Sequence, residues 1–234
     1  MMAGRPVASH TNSQDGHLIA FANRRRDPET KREAVLLTAV QLFLERSYDR
    51  TSLNDVAERL NITKPAIYHY FRNKEDILLE CYRVGTGFVE QRIAEIEAAG
   101  GTGLSKVEAF IHAYAEVLTI DFGRCVMRLD EGDLSPQAIV EVHKYKRRID
   151  RKLRSFIDEG MRDGSIAPCH SKLAAFAIAG ALNWTCMWYE PDGELSAQAI
   201  ARQFAVTLTR GLAPRPPEPA AAKKRARTGP RSRA

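Results

Sequence analysis

From Val35 to Leu208, apolar residues return every three or four positions, and no run alternates apolar with polar as a half-buried strand must. That single periodicity commits the chain to an all-α fold. Start signals divide it into helices. Asp27-Pro28 opens one that runs to about Arg46, with Val35, Ala39, Leu42 and Phe43 on one face. Ser52 and Asp55 have the spacing of a capping box ahead of Leu53, Val56, Ala57 and Leu60. Asn61 tolerates a left-handed conformation and ends that short helix; Thr63 caps the next, with Pro65 in its first turn. Asn73 and Asp76 begin a long helix reaching about Ala99 and closing at GGTG, which lacks the lysine-hydroxyl pair and preceding strand of a phosphate-binding loop. Further helices are predicted at about 105–118, 122–130, 136–162, 171–189 and 195–211, separated by Gly132, Pro136, Gly164, Pro168, Pro191 and Gly193.

Charge is distributed unevenly over the 234 residues. Pro214 to Ala234 carries seven basic residues against Glu218 alone, an excess that equals the whole net charge of +6. Residues 1–26, ending in Arg24 to Arg26, and residues 213–234 lack apolar periodicity and are expected to be disordered basic arms. Cys81, Cys125, Cys169 and Cys186 form no C-x-x-C pair, so reduced thiols are expected and no metal site. The run LIAFA is too short for a signal-peptide core, and nothing approaches membrane-spanning length. A soluble cytoplasmic protein without membrane contact is the expectation.

The stretch TSLNDVAERLNITKPAIYHYF, Thr51 to Phe71, holds two helix starts about a dozen residues apart. Helix, tight turn, helix presents its second member rigidly, because the first braces it from behind. Ala66 and Ile67 are expected to face inward, and Lys64, Tyr68 and His69 outward. Such a helix fits a DNA major groove about 12 Å wide. Lys64 and the hydroxyls of Thr51, Ser52, Thr63 and Tyr68 suit phosphate oxygens. A core-facing aromatic cluster is the competing reading, yet four consecutive helical residues, Tyr68 to Phe71, cannot all point one way.

The segment LFLERSYDRTSLNDVAERLNITKPAIYHYFRNKEDIL resembles the DNA-binding domain of the TetR/AcrR family of transcriptional regulators. The resemblance implies backbone contacts from Thr51, Ser52, Thr63, Lys64, Tyr68, Tyr70 and Lys74, and base contacts from Pro65, Ala66, Tyr68 and His69. It implies a helix-turn-helix domain at 27–73 and a ligand-binding and dimerisation domain at 74–212. Ser47 and Asn61 stand where the family usually has glycine. Asparagine accepts the left-handed region readily and serine less so, so the turn at Ser47 is expected to be altered.

ALNWTCMWYEPDGELSAQAIARQFAVTLTRGL is similar to the last two helices of family members associated with acyl-thioester and fatty-acid regulation. Residues Leu173 to Tyr189 are apolar nearly all round, so cover on several sides is expected, from a homodimer through the last two helices or from the chain itself. Phe88, Phe110, Tyr114, Met127, Tyr145, Trp184 and Trp188 are candidate lining of a small-molecule pocket, with ordinary core packing as the alternative for each. Arg147 or Arg148 is the candidate grip for the phosphates of a coenzyme A thioester; a solvated helix face is the alternative. No cofactor is expected, and no G-x-S-x-G, H-E-x-x-H or Walker motif supports an enzyme. The resemblance implies a ligand-responsive repressor that binds a palindromic operator as a homodimer. The other functional reading is an architectural protein that coats DNA without sequence preference, using its basic arms.

Overall fold

The computed structural model describes residues 28–128 and 131–213. Both expected arms (residues 1–26 and all but Ala213 of 213–234), the Asp27 cap and residues 129–130 lie outside the described residues. The described chain is helical throughout, with no strand. The helices are α1 (Pro28–Arg46), α2 (Leu53–Arg59), α3 (Lys64–Tyr68), α4 (Lys74–Ala99), α5 (Gly103–Thr119), α6 (Asp121–Met127), α7 (Pro136–Asp163), α8 (Ser171–Trp188) and α9 (Ala197–Arg210), with one 3-10 turn at Glu131–Asp133.

The helix ends follow the local chemistry. Ser52 and Asp55 form the reciprocal capping box, and Asn73 accepts the Asp76 N–H. Thr63 is the cap residue of α3 but makes no side-chain cap bond. Gly164 ends α7 at φ 80°, a conformation that costs a residue with a Cβ energy. Ser47 and Asn61 both take positive φ, 72° and 52°. The turn at Ser47 therefore keeps the left-handed geometry of a glycine site, and the Ser47 hydroxyl is held locally by the Asp49 carboxylate.

Two clusters of buried side chains make the core. The first joins α1 through the start of α4, and it also takes in Cys125 of α6, Leu134, and Ala138 and Val142 of α7. The second joins the middle of α4 to α5, α7, α8 and α9. Helix α4 therefore contributes to both, with Ile77 and Leu78 in one and Val89 and Ile93 in the other. Polar ties reinforce the junction: Glu75 of α4 accepts the Ser135 N–H at 2.6 Å and the Ser135 hydroxyl at 3.0 Å. Glu80 accepts from Arg32 of α1 at 2.8 Å. Where α5 begins, it touches α7 backbone to backbone: a Cβ on Gly103 would lie 2.0 Å from the Gly160 nitrogen.

Candidate nucleic-acid interface and ligand cavity

Helix α3 is short, and burial of two residues orients it. Ile67 is fully buried and Phe71 nearly so, with the Arg32 guanidinium 4.7 Å from the Phe71 ring centroid. Since successive residues turn by about 100°, anchoring Ile67 and Phe71 leaves Lys64, Pro65, Tyr68 and His69 on the open side, all four exposed. Tyr68 is 46% exposed, large for a tyrosine with a core beside it. Thr63 is also exposed, while Ala66 and Tyr70 are half-buried and the His69 and Tyr70 rings meet edge-on at 5.3 Å.

Beside α3, a concavity is walled by Asp49, Arg50, Ser52 and Asn54 on one side and Tyr68, Arg72 and Lys74 on the other. Ser52 is exposed there, its hydroxyl donating to the Asp55 carboxylate at 2.6 Å. That hydroxyl, with the Ser52 N–H, holds the Asp55 carboxyl below its usual range.

Thr51 differs from expectation. It is 3% exposed, and its hydroxyl donates to the Ser47 carbonyl at 2.9 Å. Its N–H is also committed, to the Tyr48 carbonyl at 3.2 Å. A β-branched residue closing the α1–α2 turn satisfies backbone acceptors and has no donor left for a phosphate. Lys74 is half-committed as well: Nζ donates to the Tyr48 and Asp49 carbonyls at 3.1 and 3.4 Å and lies 4.2 Å from the Tyr48 ring centroid, leaving one of its three N–H donors. Sequence reasoning missed Arg50 and Arg72, whose side chains are 80% and 87% exposed at this concavity. Their signal was position, since Arg72 directly precedes the Asn73 cap and Arg50 lies two residues before the Ser52 cap.

A second hollow of about 390 Å³ lies between α4, α5, α6, α7 and α8. Phe110, Tyr114, Met127 and Tyr145 line it, as anticipated. Phe88, Arg147, Arg148, Trp184 and Trp188 do not. Phe88 lies against the second core, one residue from Val89, which does face the hollow. Arg147 is exposed on α7, and Arg148 pairs with Glu90 at 3.1 Å on the outer surface. Trp184 is 65% and Trp188 42% exposed on α8, outside the hollow. The reason is helical rotation: Asn183 points to the hollow, so its neighbour Trp184 is turned about 100° away.

Tyr82, Lys146, Asp150 and Asn183 are lining residues that sequence reasoning missed. The Tyr82 and Tyr145 rings lie nearly parallel, 6.3 Å apart, and Tyr82 donates to the Val126 carbonyl at 3.1 Å. Burial pushes the Tyr82 and Tyr114 phenols above the ordinary tyrosine range. Behind the hollow, burial also raises the Cys186 thiol to about 11 and so keeps it protonated. Among the described residues, no group of three or more His, Cys, Asp and Glu side chains could hold a metal, and no helix is long and apolar enough to cross a membrane.

Comparison with known proteins matches both ends of this arrangement. Residues 35–81 match the model for bacterial regulatory proteins of the tetR family, and residues 100–212 match a tetracyclin repressor-like C-terminal domain. A TetR/AcrR-family regulator from Thermobifida fusca YX-ER1 is 30% identical, with 77% of this chain and 97% of that one covered and a TM-score of 0.61. The chain belongs to the TetR/AcrR family of transcriptional regulators. Among family members, the transcriptional repressor KstR2 of Mycolicibacterium smegmatis is 25% identical over 190 residues, 79% of this chain and 92% of that protein. AibR, solved with isovaleryl coenzyme A and operator DNA, shares the fold at 22% identity and a TM-score of 0.69, covering 76% of this chain and 98% of AibR.

Proposed function

We propose that this TetR/AcrR regulator is a repressor that binds a palindromic operator as a homodimer and lets go when a small hydrophobic or acyl-CoA-like effector fills the cavity. In this reading residues 27–73 form the DNA-binding unit and residues 74–212 the effector and dimer unit. The observation that carries it is α4, which starts at the nucleic-acid face with Lys74 and walls the cavity with Tyr82, Gly85, Thr86 and Val89. A ligand that displaces α4 moves α3 with it. Two recognition helices must sit about 34–36 Å apart, or a multiple of that, to engage successive major grooves, so a small change in their separation weakens specific binding. Coupling of this kind is reciprocal, and operator DNA must weaken the effector by the same factor.

Dimerisation is supported by the outer face of α8. Leu173, Ala177, Trp184 and Met187 are all exposed there, an apolar stripe that a monomer would leave in water, and Phe176 and Gly180, also exposed, adjoin it at the edge of the hollow they line. Val206 of α9 is 40% exposed and extends the apolar area. A two-fold partner presenting the same α8 and α9 faces covers both stripes at once. An acyl-CoA effector is supported by the largely apolar cavity and by what AibR binds. With Arg148 paired to Glu90, Arg147 is the better placed of the two for a coenzyme A phosphate.

The test has two stages. Duplexes selected from random DNA by the full-length protein should share a palindrome, and acyl-CoAs of graded length should then release the protein in a gel shift. Equal affinity for unrelated duplexes would instead favour the architectural reading.

A further inference from the structure

Most of the cavity wall is apolar, so its few polar atoms decide which chemistry it admits. Nearly all of them are committed. Thr86 donates to the Tyr82 carbonyl at 2.6 Å, and Tyr82 to the Val126 carbonyl at 3.1 Å. Lys146 is paired with Glu131 at 2.5 Å, and the Asp150 carboxylate with Arg154 at 2.5 Å. Besides the Tyr145 hydroxyl, which makes no hydrogen bond among the described residues, Asn183 is different. Its Oδ1 accepts from the Tyr114 hydroxyl at 2.9 Å, while its amide nitrogen makes no hydrogen bond among the described residues. An amide nitrogen carries two donors, and the phenol oxygen keeps acceptor capacity. Side by side on α5 and α8, the pair offers a donor and an acceptor to whatever occupies the space.

We propose that Tyr114 and Asn183 are the polar anchor of the effector, and that the effector is an apolar molecule carrying an uncharged oxygen there: a ketone, a thioester carbonyl or a hydroxyl. This rests on the reading of the cavity as the effector site. A carboxylate is disfavoured at the same place for two reasons. Among the described residues Lys146 is the one cation lining the cavity; it is already neutralised by Glu131, and the Asp150 carboxylate adds repulsion. Burying an unpaired anion costs far more than burying a neutral oxygen that gains an amide donor. Space limits the occupant too. At about 30 Å³ for a liquid water molecule, the 390 Å³ cavity has room for roughly a dozen waters, which suits a short or medium chain or a compact ring system.

The test uses the full-length chain and three probes of matched length, 2-octanone, S-methyl thiohexanoate and sodium octanoate, titrated calorimetrically at neutral pH. The two neutral probes should bind about tenfold or more tightly than octanoate, a difference of about 1.4 kcal/mol or more. Asn183→Leu should lower affinity for both neutral probes by about tenfold and leave octanoate where it was. Tyr114→Phe, which removes the fixed orientation of the amide, should lower it by a smaller factor. Octanoate binding as tightly as the ketone, or Asn183→Leu behaving like the parent, overturns the anchor and leaves the cavity reading standing. Heat released by none of the three probes overturns both. If Asn183→Leu fails to fold, the probe ranking in the parent and the Tyr114→Phe result decide.

Discussion

Replacing Glu80 by Gln should make the stability of this protein less sensitive to acid, by an amount that the structure sets. Glu80 is 9% exposed on α4, held by Arg83 of the same helix at 2.5 Å and by Arg32 of α1 at 2.8 Å. Chiefly through the Arg83 hydrogen bonds, and against the penalty of burial, its carboxyl falls from 4.5 to about 2. A folded-state value below the unfolded one stabilises the native protein above the unfolded pKa, and the gain disappears as pH falls toward the folded value. At about 1.4 kcal/mol per pH unit, the full shift corresponds to about 3.4 kcal/mol. The Arg83 side chain is 61% exposed, so solvent screens the larger contribution. We therefore expect Glu80→Gln to lose about 2 kcal/mol at neutral pH. Urea unfolding of parent and variant should show that gap between about pH 5 and 7, then narrowing toward zero as pH approaches about 2. A gap that stays constant across this range, or one below about 0.5 kcal/mol at neutral pH, would refute the assignment of the shift to this triad.

Ser47→Gly should stabilise the protein by about 1 kcal/mol in the same assay, because φ 72° strains serine and not glycine; a loss would show that the Ser47–Asp49 bond outweighs the strain. Gly103→Ala should destabilise by about 3 kcal/mol or more, since its methyl would meet the Gly160 backbone at 2.0 Å; an unchanged melting temperature would contradict that close approach. Trp184→Glu should halve the mass found by light scattering, and a persistent dimer would move the interface away from α8. Arg72→Ala should weaken DNA binding uniformly across sequences and lower the salt slope by about one, whereas an altered sequence preference would make Arg72 a base reader.

Helix boundaries were legible because capping and periodicity are local. Ser52 with Asp55, Asn73 with Asp76 and Gly164 each signal an end within a few residues. The open face of α3 was legible too, since four consecutive aromatic and imidazole side chains cannot share one side of a helix. The turn at Ser47 was misjudged for a physical reason: a local penalty of about 1–2 kcal/mol is small beside the packing that fixes the chain on both sides.

The cavity was only half legible. Phe110 and Tyr114 sit at the i, i+4 spacing and could be grouped, but on α8 nearly every residue is apolar, so hydropathy cannot say which side turns inward. Trp184 and Trp188 were expected within and lie outside, while Asn183, a polar residue with no motif to mark it, faces the cavity. Thr51 carried the same ambiguity, because a hydroxyl in a turn suits a phosphate as well as the Ser47 carbonyl it meets.

By itself the sequence determined the all-α class, the helix limits and the exposed surface of Lys64, Tyr68 and His69, all of which depend on residues a few positions apart. Tertiary structure decided the rest. It brought Arg32 to Glu80, Glu75 to Ser135 and Tyr114 to Asn183. Each of those pairs spans dozens of residues, and only the way the helices pack brings its members within reach. Periodicity sets where a helix is apolar, but the neighbours it packs against set which apolar side becomes core, cavity wall or open surface.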